Sequence, residues 1–177
     1  GAQDVGSNIF EDGYWLHAYG ADGMEALISH SDPYKIYVSS QFGGLIRSQD
    51  GGQTFVGIKP VDSIDGGWVT PYVQHPADPA TLYAAYRDVW KTTDEGDSWT
   101  PLSTDLAGGS ELDQLAVAAS DPQTIYVSDN ENLFVTHDEG ITWNTYQPAS
   151  WMSISGIAVD NTNPLRIWDS CTNSSTD

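Results

Sequence analysis

Short runs of alternating apolar and polar residues, rich in Val, Ile, Tyr and Trp, fill this chain, and Gly, Pro, Asn and Asp clusters separate them. No stretch sustains a helical period, so the pattern predicts strands and turns throughout. The clearest runs follow a recurring phrase: Asp32-Pro33 precedes Ile36-Tyr37-Val38, Asp78-Pro79 precedes Leu82-Tyr83-Ala84, Asp121-Pro122 precedes Ile125-Tyr126-Val127, and Asn163-Pro164 precedes Ile167-Trp168. Each aromatic lies five residues after the Asp or Asn. The Asp-Pro and Asn-Pro pairs read as turns that feed a strand.

A second phrase repeats every 44 residues. It runs Ser48, Asp50, Gly52, Thr54 and Phe55 in the first copy, Thr92, Asp94, Gly96, Ser98 and Trp99 in the second, and Thr136, Asp138, Gly140, Thr142 and Trp143 in the third. Ser or Thr and Asp supply oxygens that accept the turn's own N–H groups, and Gly tolerates positive φ. The expected role of these residues is therefore structural. Each repeat parses into four strands, over 69–73, 81–86, 88–92 and 98–102 in the second and 112–118, 124–128, 133–136 and 142–146 in the third. Four strands per repeat of about 40–45 residues is the arithmetic of a β-propeller blade.

The Ser/Thr-x-Asp-x-Gly-x-Thr/Ser-Trp/Phe signature resembles the Asp-box, or BNR, repeat. With the Asp-Pro and Tyr phrase it is most similar to the sialidase-like and sortilin-like repeat arrays of secreted bacterial proteins. The expected fold is all-β, an Asp-box β-propeller with about three complete four-stranded blades plus partial blades, a fragment of a larger propeller. Blades are expected at 20–59, 66–104 and 108–147, with a partial blade at 151–170, residues 1–19 contributing outer strands, and a flexible tail at 171–177. A closed four-blade disc is the alternative. An open arc predicts homodimer formation through its exposed blade edges.

Charge narrows the partners. With 6 Lys and Arg against 25 Asp and Glu, the formal charge of −19 repels nucleic acid and anionic lipid, so neither is an expected partner. No apolar run is long enough to predict a membrane helix. Cys171 is the sole cysteine, which excludes an internal disulfide. The resemblance and the acidity together predict an extracellular or cell-surface location.

Subtracting the repeat scaffold leaves candidates on the loop face opposite the Asp boxes: Asp22, Glu25, Trp68, Arg87, Asp88, Glu111, Asp113 and Trp151. Rings at a cavity mouth suit sugar stacking. Acid pairs across a cleft suit glycoside hydrolysis. Trp90, Trp99, Trp143 and Trp168 are assigned to packing. Sialidase chemistry, as the resemblance would imply it, needs three clustered arginines. Arg47 and Arg166 fall on scaffold positions, so that activity is not expected. The four histidines show no ligand spacing, and no cofactor is expected; calcium on loop carboxylates is left open. The preferred reading is a module that binds glycan or protein on this face. The alternatives are a fragment of a secreted glycoside hydrolase and a structural array of a surface protein.

Overall fold

The computed structural model describes residues 4–61, 65–148 and 152–173. Sixteen strands make up the described chain, with no α-helix among the described residues. The first hairpin joins β1 (Ser7–Glu11) and β2 (Tyr14–Tyr19) through Asp12 and Gly13. Both turn residues have positive φ, as a two-residue hairpin of this type requires.

Three four-stranded antiparallel sheets follow, each in sequence order across the sheet. The first contains β3 (Gly23–Ile28), β4 (Ile36–Ser40), β5 (Gly44–Ser48) and β6 (Val56–Gly57). The second contains β7 (Tyr72–Gln74), β8 (Leu82–Ala85), β9 (Val89–Thr92) and β10 (Thr100–Pro101). The third contains β11 (Gln114–Val117), β12 (Ile125–Ser128), β13 (Leu133–Thr136) and β14 (Asn144–Tyr146). A final pair, β15 (Met152–Val159) and β16 (Ile167–Asn173), forms its own two-stranded sheet. The fold is an all-β partial propeller, as the repeats predict. First and fourth strands are shorter than the sequence suggests; in the fourth, Ser98 and Thr142 spend their N–H groups on the box Asp rather than on the ladder.

Each Asp box closes on itself. Asp50 Oδ1 accepts the N–H groups of Gln53 (3.0 Å) and Thr54 (2.9 Å), its Oδ2 accepts the Thr54 hydroxyl (2.6 Å), and Ser48 Oγ accepts the Gly52 N–H (2.8 Å). Asp94 and Asp138 repeat the pattern with Ser98 and Thr142. Hydroxyl donation, followed by the other turn hydrogen bonds, holds all three carboxyls down at about 2. The box also bonds back to its own Asp-Pro turn, through Gly51 N–H to Tyr34 O, Glu95 N–H to Ala80 O and Glu139 N–H to Gln123 O. Both kinds of corner therefore sit at one end of the blade.

The core lies between blades rather than within them. Tyr37, Leu45, Ile58, Tyr72, Leu82, Ala84 and Tyr86 fill the first seam; Tyr83, Ala85, Val89, Leu112, Leu115, Ile125, Val127 and Phe134 fill the second. Polar stitches cross the same seams. Trp99 Nε1 donates to Ile58 O (2.7 Å) and Trp143 Nε1 to Leu102 O (3.2 Å). Buried Arg47 donates to Glu95 O (2.8 Å) and Asp97 Oδ1 (2.9 Å), and Lys35 pairs with Glu95. One seam on, Lys91 Nζ and the Tyr83 hydroxyl converge on Glu139 at 2.6 and 3.0 Å. Trp168 lies on β16, in the last described sheet. It is 66% exposed, whereas its repeat equivalents Tyr37, Tyr83 and Tyr126 are 0–4% exposed under the next blade.

Candidate functional site

The first strands β7, β11 and β15 lie side by side at the inner edge of the arc. With β3 they wall a cleft of about 510 Å³. Glu25, Trp68, Tyr72, Asp113, Gln114, Asn130 and Ser155 line it, drawn from the inner strands, their entry loops and the β12–β13 loop.

Local irregularities aim these side chains. The β3–β4 register shifts between Gly23 and Ala26, so Glu25 sits in a bulge, with its N–H on Ser39 Oγ (3.1 Å). A bulge re-aims a side chain without ending the strand. A second shift, between Ile154 and Gly156, places Ser155 on the cleft with its hydroxyl donated to Ser170 O (3.0 Å). Asn130 holds φ at 72°, a region Asn tolerates, and its side-chain amide donates to Asp113. Gly67 presses on the acids: a Cβ there would stand 3.4 Å from Glu111 Oε2 and 3.7 Å from Asp113 Oδ1.

The two acids in the cleft share one electrostatic tendency. Loss of solvent raises the Glu25 carboxyl above its ordinary value, opposed by the Tyr72 backbone N–H. Asp113 is raised by loss of solvent first and by repulsion from Glu111 and Asp129, against the pull of the Asn130 hydrogen bond. Both hold a proton more readily than a free carboxylate does.

Two exposed rings meet beside the cleft: Trp68 lines it, and Phe42 packs against Trp68. Trp68 and Phe42 are 46% and 50% exposed, with centroids 5.2 Å apart and planes at 85°. Phe42 has φ of 59° within the Gln41–Gly43 turn, a left-handed conformation rare for a bulky residue. The turn is fixed behind it, where the buried Tyr86 hydroxyl donates to Gly43 O (2.7 Å) and Gly66 N–H donates to Phe42 O (3.3 Å).

Of the residues expected on this face, Glu25, Trp68 and Asp113 line the cleft, and Glu111 borders it. Asp88 does not reach it. Its carboxylate accepts the Ser103 hydroxyl (2.7 Å) and the N–H groups of Asp105 and Leu106 (each 3.2 Å), which makes it a loop cap. Asp22 is also spoken for, accepting the Asp4 N–H (2.7 Å). Arg87 is exposed but is not a lining residue, and Trp151 lies outside the described residues. Asn130, expected on this face from its place between second and third strands, also lines the cleft, and Phe42 adjoins it through Trp68. No group of three or more His, Cys, Asp or Glu side chains that could hold a metal occurs among the described residues.

Known proteins resemble this chain in sequence and in fold. The chain is 26% identical over 121 residues to the oligoxyloglucan-reducing end-specific xyloglucanase of Emericella nidulans. It is 28% identical over 123 residues to the probable enzyme of the same name from Neosartorya fischeri. Those alignments take in 61% and 62% of this chain but only 15% of either relative, so the chain spans a small part of their length. Among solved structures, a GH74 enzyme of Niastella koreensis superposes with a TM-score of 0.71 at 15% identity, over 89% of this chain and 29% of that one. YCF48 from Cyanidioschyzon merolae superposes at 0.55 and 17% identity, over 87% of this chain and 56% of that one. Identities so low show a shared fold. The Sortilin-Vps10 family, described as sortilin, neurotensin receptor 3, matches residues 43–152, more than half of the sequence, and this chain belongs to that family.

Proposed function

We propose that the chain is the glycan-gripping arc of a propeller in a carbohydrate-active protein that works outside the cell. The observation that carries this reading is the exposed Trp68 lining a cleft that also presents Glu25 and Asp113, with the exposed Phe42 ring packed edge-on against it. Rings offer flat apolar faces to the C–H face of a sugar, and carboxylates accept its hydroxyls. The xyloglucan-directed names of the two relatives make xyloglucan oligosaccharide the first ligand to try.

A second reading has its own support in the raised carboxyls of Glu25 and Asp113. A glycosidase needs one acid that stays protonated long enough to protonate the leaving oxygen. Calorimetric titration with xyloglucan oligosaccharides, beside a reducing-sugar assay, separates the two. Binding that Trp68→Ala weakens by about tenfold or more, without product, supports the gripping role. Turnover that Asp113→Asn or Glu25→Gln abolishes supports catalysis instead. No binding to any neutral glycan overturns both.

A further inference from the structure

One backbone pattern closes the Asp/Asn-Pro turn in all four repeats: Ser29 N–H to Lys35 O, His75 N–H to Thr81 O, Ala118 N–H to Thr124 O, and Asp160 N–H to Arg166 O. The residue that opens the turn can also cap it. Asp160 Oδ1 accepts the N–H groups two and three residues on, from Thr162 (2.8 Å) and Asn163 (3.2 Å). Ser29 Oγ takes the Ser31 N–H at 3.5 Å, and Ala118 has no side-chain acceptor. In the second repeat His75 Nδ1 does what the Asp160 carboxylate does, accepting from Ala77 (3.0 Å) and Asp78 (2.9 Å). A backbone N–H can only donate, so Nδ1 carries the lone pair and the neutral ring bears its proton on Nε2.

The surroundings tie this turn, through the His75 carbonyl and Gln74, to the seam between the first two blades. His30 N–H donates to Gln74 Oε1 (3.1 Å), and His30 Nε2 lies 3.2 Å from His75 O. Gln74 Nε2 bridges Ser29 Oγ (3.0 Å) and Pro79 O (2.8 Å). The ring stacks on Tyr83 at 6.2 Å and 24°. Burial holds its pKa below the ordinary value, with Lys91 and His30 adding to that and Asp78 and Glu139 opposing it.

We propose that His75 is a proton-operated latch on this seam. A proton taken from solvent at Nδ1 converts the ring to the imidazolium, removes the acceptor for two N–H groups and places a third donor against them. The turn then opens. Its Ala80 carbonyl holds the Glu95 N–H (2.8 Å), and Glu95 is where Lys35 and Arg47 cross the seam, so release of the turn loosens the contact between blades. This inference is independent of what the cleft binds.

Amide hydrogen exchange on the whole chain at about pH 7.5 and about pH 5, corrected for the intrinsic pH effect on exchange, tests it. The neutral fraction of a histidine falls about tenfold per pH unit below its pKa. Protection across 75–81 should therefore fall several-fold in acid, while the Ala118 and Asp160 turns hold theirs. His75→Asp, which copies the Asp160 turn, should keep its protection at both pH values, and His30→Gln should retain the acid response. Nitrogen chemical shifts of the native His75 ring give a readout that needs no variant. Equal protection of 75–81 at the two pH values, an acid response surviving in His75→Asp, or a protonated Nδ1 near pH 7.5 would each overturn the proposal.

Discussion

Removal of a single oxygen tests how the seams hold the loops beside the cleft. Tyr86 is 1% exposed, and its hydroxyl donates to Gly43 O at 2.7 Å across the first seam. Tyr86→Phe keeps the ring and strands a buried carbonyl, which costs about 1–3 kcal/mol. For a chain of this size that lowers Tm by roughly 2–4 °C per kcal/mol. Tyr37→Phe is the matched control. Its ring is fully buried too, yet its hydroxyl has no hydrogen-bond partner among the described residues. Deleting an unpaired buried hydroxyl is neutral or stabilising. Urea and thermal unfolding of both variants beside the parent give the comparison, and losses of equal size would refute the hydrogen-bond argument. Because Gly43 follows Phe42 directly, Tyr86→Phe should also weaken oligosaccharide binding, whereas Tyr37→Phe should leave it unchanged.

Three further outcomes are expected. Glu139→Gln should cost about 0.5–1 kcal/mol in urea melts, an effect that shrinks in about 1 M salt, because Lys91 and Glu139 are only partly buried. The box carboxyls titrate lower in the folded chain, about 2, than their ordinary 3.8, so their contribution is complete above about pH 4 and is lost as pH falls toward 2. Asp94→Asn should flatten the acid limb of a stability-against-pH curve in that window; an unchanged limb would contradict the assignment. Asp113 has the opposite sign, since its raised carboxyl makes the ionised form unfavourable to folding at neutral pH. Asp113→Asn should therefore raise the urea midpoint at pH 7, and the gain should vanish in acid; a lower midpoint at pH 7 would refute the repulsion from Glu111 and Asp129.

The box spacing made the blades legible because every atom that closes a box comes from within a few residues of its Asp. The cleft was half legible. Trp68 and Asp113 could be placed because each precedes a first strand, and first strands line the axis. The hydrogen bonds of Asp88 were not legible, because what distinguishes a loop cap from a free acid is Ser103 and Leu106, more than a dozen residues away. Glu25 depends on a bulge, and without that extra residue strict alternation would turn the side chain to the other face. Phe42 carries its own signal: it occupies the loop between second and third strands, where the 44-residue period matches it to Tyr86 and Asn130, directly before the pair Gly43-Gly44.

The first and fourth repeats show how far a repeat can dictate its own burial. Asp32-Pro33-Tyr34-Lys35-Ile36-Tyr37 and Asn163-Pro164-Leu165-Arg166-Ile167-Trp168 place a cation and an aromatic at matching positions and close the same backbone turn. Lys35 reaches Glu95 of the next blade, and Tyr37 is buried beneath that blade. Arg166 instead bonds back to Asp160 at 3.7 Å and stacks 5.3 Å over Trp168, which stays largely exposed. Equal local sequence thus gives equal strands and turns, whereas burial and charge pairing come from the neighbour. The same division explains the cleft: box and turn residues fold each blade by local hydrogen bonds, which frees the inner-strand entry loops and the loops between second and third strands, whose sequences differ from repeat to repeat, to carry Trp68, Asp113 and Asn130.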